Sequence, residues 1–427
     1  MNIFVGKLGR TVFFNPDKWA NVGGDNETGT LILKMAQMHP EDTFYIVQTS
    51  DFSDTPYKNK YKNIVPLMDG FDMKVDNHTY LYEKIKRMNI KPDYIVLYNG
   101  ITSTNNIQGI YYKNRSNEMA YTKTLQFSTR YMANIVWMLN HFMDVPFMLL
   151  VPDPRYYPLM ARDIEHVADH VLTQYTYSAD WIFREYETRQ DHITITHPVY
   201  AGIENVFLLN KKRAPRDMYI NHPTPKMMNI VLNQGQNSSG GLDRYPILKE
   251  YVLDNFKDTS WVNDIAVYGE WKEEVMVDPH FKGAMRIEKL SKLLMSTRYT
   301  FIIPVDKNWA TAKFAEMSFY GIITFMHPYY DTQKNIKCPE FLRVKSPEDL
   351  KKKIEFLERN EEARKKLLAD IWECFGQEWF DGTEIIENQI YKRIKEDRLK
   401  KPNIDYSKRG IVYNNIKFIG QPGSPKI

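Results

Sequence analysis

Short runs rich in β-branched and aromatic residues alternate with amphipathic helical stretches along nearly all of this chain, and that alternation limits the fold more than any other feature. In the first half the expected strands are Asn2–Val5, Thr43–Val47, Tyr94–Tyr98, Phe147–Val151, His170–Thr173 and His192–Ile195. Helical patterns lie between them around Glu27–Met38, Tyr80–Asn89, Leu125–Phe142 and Leu159–Ala168. Runs apolar at every position, such as Tyr94-Ile95-Val96-Leu97-Tyr98, suit a sheet covered on both faces, which is the parallel case. Strand–helix alternation of this kind predicts a doubly wound α/β sheet.

The pattern breaks at residues 208–227, which are polar, basic and proline-bearing, as an interdomain linker is. It then restarts with strand Met228–Leu232, a helix near Tyr245–Asn255 and strand Ile265–Tyr268. Helix Ile287–Met295, strand Tyr299–Ile303, helix Thr311–Phe319 and strand Ile322–Phe325 follow. Ser346-Pro347-Glu348-Asp349 opens a long helix expected to reach Cys374, with serine at the cap and acids in the first turn. A further helix is expected near Thr383–Lys400. The expected organisation is therefore a Rossmann-like domain over 1–215, a second over 226–380, and a terminal helix with a basic tail over 381–427. Two such sheets facing across a cleft offer a place for a two-substrate reaction, because ligands bind beyond the carboxyl ends of parallel strands.

Composition narrows the class. The 427 residues, 43% hydrophobic and 26% charged, argue against disorder, collagen and coiled coil. No run approaches eighteen apolar residues, so no membrane partner is expected. Met1–Arg10 enters a strand-like run without a signal-peptide core, and the expected compartment is cytoplasmic. Cys338 and Cys374 give neither a disulfide framework nor zinc spacing, and no metal is expected. Residues 388–427 hold ten Lys/Arg against three Asp/Glu, a surplus that attracts phosphate backbones or acidic surfaces, or that simply solvates a helix.

Three segments carry chemistry. Val22-Gly23-Gly24-Asp25-Asn26-Glu27 follows the first strand; its glycines let backbone amides approach an anion, although a tight turn fits equally. It has neither the P-loop nor the Gly-x-Gly-x-x-Gly fingerprint. Asn233-Gln234-Gly235-Gln236-Asn237-Ser238-Ser239-Gly240-Gly241 leaves the strand ending at Leu232 and is suited to a diphosphate. Lys313 and Glu316, at i and i+3 of a helix that stops at Gly321, can face phosphate and ribose hydroxyls. The plain alternative for that pair is a solvated ion pair on an exposed face.

These residues resemble the donor-binding half of GT-B fold nucleotide-sugar glycosyltransferases, where a ribose-binding glutamate precedes a small turn and a buried strand. Within that class the chain is similar to the DNA glucosyltransferases of T-even bacteriophages, the α-glucosyltransferases in particular. Asn99-Gly100-Ile101-Thr102-Ser103-Thr104 after a buried strand, Val151-Pro152-Asp153-Pro154, Ala168-Asp169 and Glu316–Phe325 carry the likeness. The sequence departs from the family at Asn308, where many retaining members have glutamate, at Gln236, where the phage enzyme has arginine, and at Pro152, where it has histidine.

The resemblance implies an enzyme that moves a hexose, glucose from UDP-glucose or another UDP-sugar, onto a hydroxymethylated base of phage DNA with retention. It implies donor contacts at Gly23, Gly24, Gly235, Ser238, Ser239, Gly240, Arg244, Tyr268, Gly269, Lys313 and Glu316, and no obligatory metal. Asp153 would act as base on the acceptor hydroxyl in an inverting enzyme, or would orient it in a retaining front-side mechanism. Asn99 and Thr102, with Lys58, Lys60, Lys113 and Arg115 in loops that interleave rings and cations, would hold double-stranded DNA bearing modified bases. The expected state is a monomer. A glycosyltransferase acting on a polysaccharide or small molecule, a non-catalytic DNA- or sugar-binding relative, and a sugar-nucleotide epimerase remain as alternatives.

Overall fold

The computed structural model describes residues 1–7, 34–47, 62–66, 87–98, 146–151, 170–173, 193–195, 212–234, 243–285, 287–304, 313–332, 334, 336–380, 382–383 and 386–399. The chain divides into two compact units. One gathers Met1–Thr196, Gly202–Leu209 and Gly382–Ile427; the other gathers His197–Ala201 and Asn210–Asp381.

The first unit is built on a seven-stranded sheet in which every pairing is parallel. Its strands are β1 (Asn2–Lys7), β2 (Thr43–Val47), β3 (Ile64–Pro66), β4 (Tyr94–Tyr98), β5 (Phe147–Val151), β6 (His170–Thr173) and β7 (Ile193–Ile195). The order β3-β2-β1-β4-β5-β6-β7 is doubly wound, and the direction of winding reverses between β1 and β4. Ile3, Phe4, Val5, Tyr94, Ile95 and Val96 are all completely buried. Consecutive burial requires cover on both faces, which is why these strands read as unbroken apolar runs. Only β3, three residues long, escaped the sequence pattern, because Ile64-Val65-Pro66 is too short to show a period.

The C-terminal segment packs on this unit. A π-helical turn at Ile386–Tyr391 leads into a helix at Lys392–Leu399, and Ile386, Ile390, Tyr391 and Ile394 are at most 1% exposed. The Tyr391 ring stacks on His39 with centroids 3.5 Å apart, and its hydroxyl donates to Asp42 Oδ2 at 2.9 Å. Burial, and after it the Asp42 carboxylate, push the Tyr391 phenol up. His39 Nε2 meets Glu387 Oε1 at 2.7 Å. His39, Glu41 and Asp42 group atoms that could hold a cation, but two of the three also serve as docking points for this helix.

The second unit has a five-stranded parallel sheet ordered β10-β9-β8-β11-β12. These are β8 (Met228–Gln234), β9 (Ile265–Glu270), β10 (Phe281–Gly283), β11 (Tyr299–Ile302) and β12 (Ile323–Met326). Here the winding reverses between β8 and β11. The helices are α1 (Arg216–Asn221), α2 (Arg244–Leu248, running on through a π-turn at Lys249–Leu253 to Asp254–Phe256), α3 (Glu273–Met276) and α4 (Ile287–Met295). They continue with α5 (Lys313–Phe319), α6 (Pro347–Arg359), α7 (Glu361–Cys374) and α8 (Gln377–Phe380).

Two expectations need correction. The 208–227 segment is not wholly a linker, since Arg216–Asn221 forms α1 and packs on α7. The single helix expected from Ser346 to Cys374 is two. Asn360 leaves helical geometry at φ −136° and ψ 88°, and its side chain accepts from Ala363 N at 3.0 Å, capping a new helix. Asparagine competes well as an N-cap, so a helix can restart there without losing the amphipathic pattern.

Among the described residues no helix is long and apolar enough to cross a membrane.

Candidate functional site

The carboxyl ends of β8, β9, β11 and β12 lie along one edge of the second sheet, and five of the candidate residues fall there. Arg244 opens α2, beyond the glycine-rich stretch that leaves β8, and its side chain is buried at 6% exposure. Asp243 caps that helix by accepting from Tyr245 N. Tyr268 and Gly269 lie near the end of β9, and burial pushes the Tyr268 phenol up. Lys313 and Glu316 stand in α5, which connects β11 to β12.

Gly269 is dictated by geometry. The register between β8 and β9 shifts between Val231 and Gln234, so β8 carries an extra residue opposite Gly269. Gly269 has φ +134°, and a Cβ there would stand 1.7 Å from the carbonyl oxygen of Leu232. Only glycine allows that approach.

Glu316 has the most informative surroundings. Residues Phe314–Phe319 are all buried, and the Glu316 side chain is 2% exposed. Its Oε2 takes the Lys313 ammonium at 2.7 Å, while Oε1 is buried without a hydrogen-bond partner. The pair is therefore not the solvated helix pair that i, i+3 spacing also permits. A buried carboxylate oxygen left unsatisfied costs on the order of 1–3 kcal/mol, so a position of this kind asks for an explanation. A ligand hydroxyl would supply the missing donor.

Three further residues at this edge were not picked out from sequence. Trp271, just past β9, holds a buried indole Nε1 without a hydrogen-bond partner and packs edge-on against Phe281 with centroids 5.0 Å apart. Tyr245 completes that aromatic group at 6.5 Å from Trp271. His327 follows β12 and is 5% exposed; burial pushes its imidazole down to about 4. Its Nδ1 accepts from Tyr329 N at 3.1 Å, so the neutral ring carries its proton on Nε2. A polar side chain directly after a buried parallel strand is the signal that could have found His327.

The remaining candidates lie outside the described residues. These are Gly23, Gly24, Lys58, Lys60, Asn99, Thr102, Lys113, Arg115, Asp153, Gly235, Ser238, Ser239 and Gly240. Two of them bracket strands of known position. Asn99 follows β4, one of the two strands at the winding reversal of the first sheet, and Asp153 is two residues past the end of β5.

No protein-family model matches the chain, and no curated protein sequence does. Solved structures do. T4 phage β-glucosyltransferase in complex with UDP and Mn2+ is similar with a TM-score of 0.54 and 14% identity, covering 92% of this chain and 99% of that one. An α-glucosyltransferase in complex with UDP and a 13-mer DNA containing a HMU base is similar with a TM-score of 0.54 and 10% identity, again covering 92% and 99%. A glycosyltransferase from Rickettsia africae gives 0.51 at 12% identity, covering 93% and 99%. The chain thus has the α/β fold of GT-B glycosyltransferases, with two parallel sheets. Within that fold it is similar to both the β-glucosyltransferase of T4 phage and an α-glucosyltransferase.

Proposed function

We propose that this protein is a nucleotide-sugar-dependent glycosyltransferase that moves glucose from UDP-glucose onto a hydroxymethylated base of DNA. The observation that carries the donor half is the Glu316 carboxylate, buried at the carboxyl edge of the second sheet with one oxygen on Lys313 and the other without a partner. A carboxylate so held accepts from the two vicinal hydroxyls of a ribose in charge-assisted bonds. Arg244, buried at the start of the helix beyond the glycine-rich stretch, is the cation nearest in sequence to a diphosphate cradled by Gly235, Ser238, Ser239 and Gly240. Departure of the diphosphate builds negative charge, and positive groups already in place stabilise that charge without reorganising.

For the acceptor half, Asp153 orients the incoming hydroxyl in a retaining front-side displacement in which the departing phosphate takes the proton. Asn99 and Thr102 hold the base, and Lys58, Lys60, Lys113 and Arg115 hold the backbone. Support comes from the fold shared with an α-glucosyltransferase bound to UDP and a DNA containing a HMU base. The Rickettsia glycosyltransferase, similar to nearly the same degree, supports a second reading as a glycosyltransferase with an acceptor other than DNA.

Glu316→Gln tests the donor half. UDP affinity measured by calorimetry should fall by about 1–3 kcal/mol, as loss of charge-assisted hydrogen bonds does. An unchanged affinity removes the ribose role. Sugar transfer to hydroxymethylated but not to unmodified duplex DNA supports the acceptor. UDP release without any transfer to that DNA would move the reading to another acceptor.

A further inference from the structure

The longer stretch of the second unit runs from Asn210 to Asp381, and residues next to both of its ends meet at Arg213. Its backbone N–H donates to Gln377 Oε1 at 2.8 Å, and its guanidinium donates to the carbonyls of Trp372, at 2.9 Å, and Phe375. The guanidinium lies 4.2 Å from the centroid of the Trp372 ring and 5.4 Å from that of Phe380. Trp372 Nε1 returns a bond to Ala214 O at 3.3 Å. A planar cation that stacks and donates at once is something only arginine provides.

From there α1 carries Tyr219 to the far end of α5, the helix of Glu316. The Tyr219 hydroxyl donates to Ser318 O, one of the terminal carbonyls that a helix cannot satisfy internally. Its ring stands beside Gly321, whose φ of +74° ends the helix. The exit segment grips the same helix, with Phe375 against Phe314 at 5.8 Å and Phe380 against Phe319 at 5.4 Å.

We propose that Arg213 and Tyr219 are positioning residues that tie α5, and through it the Glu316 carboxylate, to the two ends of this longer stretch, where the chain crosses to the first unit. Nucleotide affinity then depends on linker residues that touch no ligand. This inference rests on the reading of Glu316 as the donor carboxylate.

A double-mutant cycle on the full chain separates the two ideas. Tyr219→Phe deletes one hydroxyl and should weaken UDP binding about two- to tenfold by calorimetry, yet add nothing further in the Glu316→Gln background. Weakening by Glu316→Gln without any effect of Tyr219→Phe, or full additivity of the two, overturns the positioning role alone. No effect of Glu316→Gln overturns the donor reading, and this inference with it. Arg213→Lys offers a second readout by amide hydrogen exchange. Faster exchange across 313–319, with 347–359 unchanged, supports the coupling, whereas faster exchange confined to 372–380 overturns it.

Discussion

At the scale of single residues, carboxylates whose oxygens the fold satisfies stand apart from one that it leaves open. Arg298 donates to both oxygens of Glu358 at 2.9 and 3.1 Å, and Tyr299 adds a bond of 2.8 Å to the same carboxylate. Asp331 is met by Arg343 at 2.8 Å and by Ile336 N at 2.9 Å. Glu316 differs in keeping one oxygen unbonded. His327 differs in being an ionisable ring held neutral by burial, and this makes a pH prediction. Its pKa falls from the ordinary 6.5 to about 4, so between those values the unfolded chain takes up a proton that the folded chain refuses. Stability therefore declines as pH drops through that window, by up to about 1.4 kcal/mol per pH unit from this group. His327→Asn keeps an acceptor for Tyr329 N and removes the titration. Urea melts from pH 7 to pH 4 should show the wild-type protein losing stability faster than the variant; parallel curves would contradict the assignment.

Among elements, the junction of β8 and β9 is the most demanding. Gly269→Ala would drive a methyl into the Leu232 carbonyl, and its φ of +134° is strained for any other residue. The substitution should cost at least about 3 kcal/mol in chemical unfolding, and a loss below about 1 kcal/mol would mean that the bulge relaxes easily. The elements themselves were largely legible. Tyr94–Tyr98, Phe147–Val151, His170–Thr173 and Ile287–Met295 have the bounds that periodicity predicts, because a two-sided buried strand or an amphipathic helix writes its period into adjacent residues. The break at Asn360 was not legible, since both α6 and α7 continue one helical pattern and only the cap geometry parts them. Nor was β10, whose three residues pair with β9 through a shifted register that no local pattern announces.

On the scale of the whole molecule, the C-terminal segment is structural to the first unit although it lies last in the chain. Ile386, Ile390, Tyr391 and Ile394 are fully or almost fully buried, and at about 1.5–3 kcal/mol each their burial is comparable to the net stability of a domain. A chain ending at Asp381 should therefore leave the first unit open to limited proteolysis while residues 212–380 stay protected; equal protection of both would show the helix dispensable. Strand–helix alternation and the helix that carries Lys313 and Glu316 and stops at Gly321 followed from the sequence alone, because they depend on residues close together along the chain. Tertiary structure alone decided that Glu316 is buried with an unbonded oxygen, that Gly269 must be glycine, that Tyr219 reaches the end of α5, and that Arg213 reaches residues packed on that helix. Those outcomes depend on groups tens to more than a hundred residues apart, and the free energy of a buried charge or a close backbone contact is set by neighbours that no local period encodes.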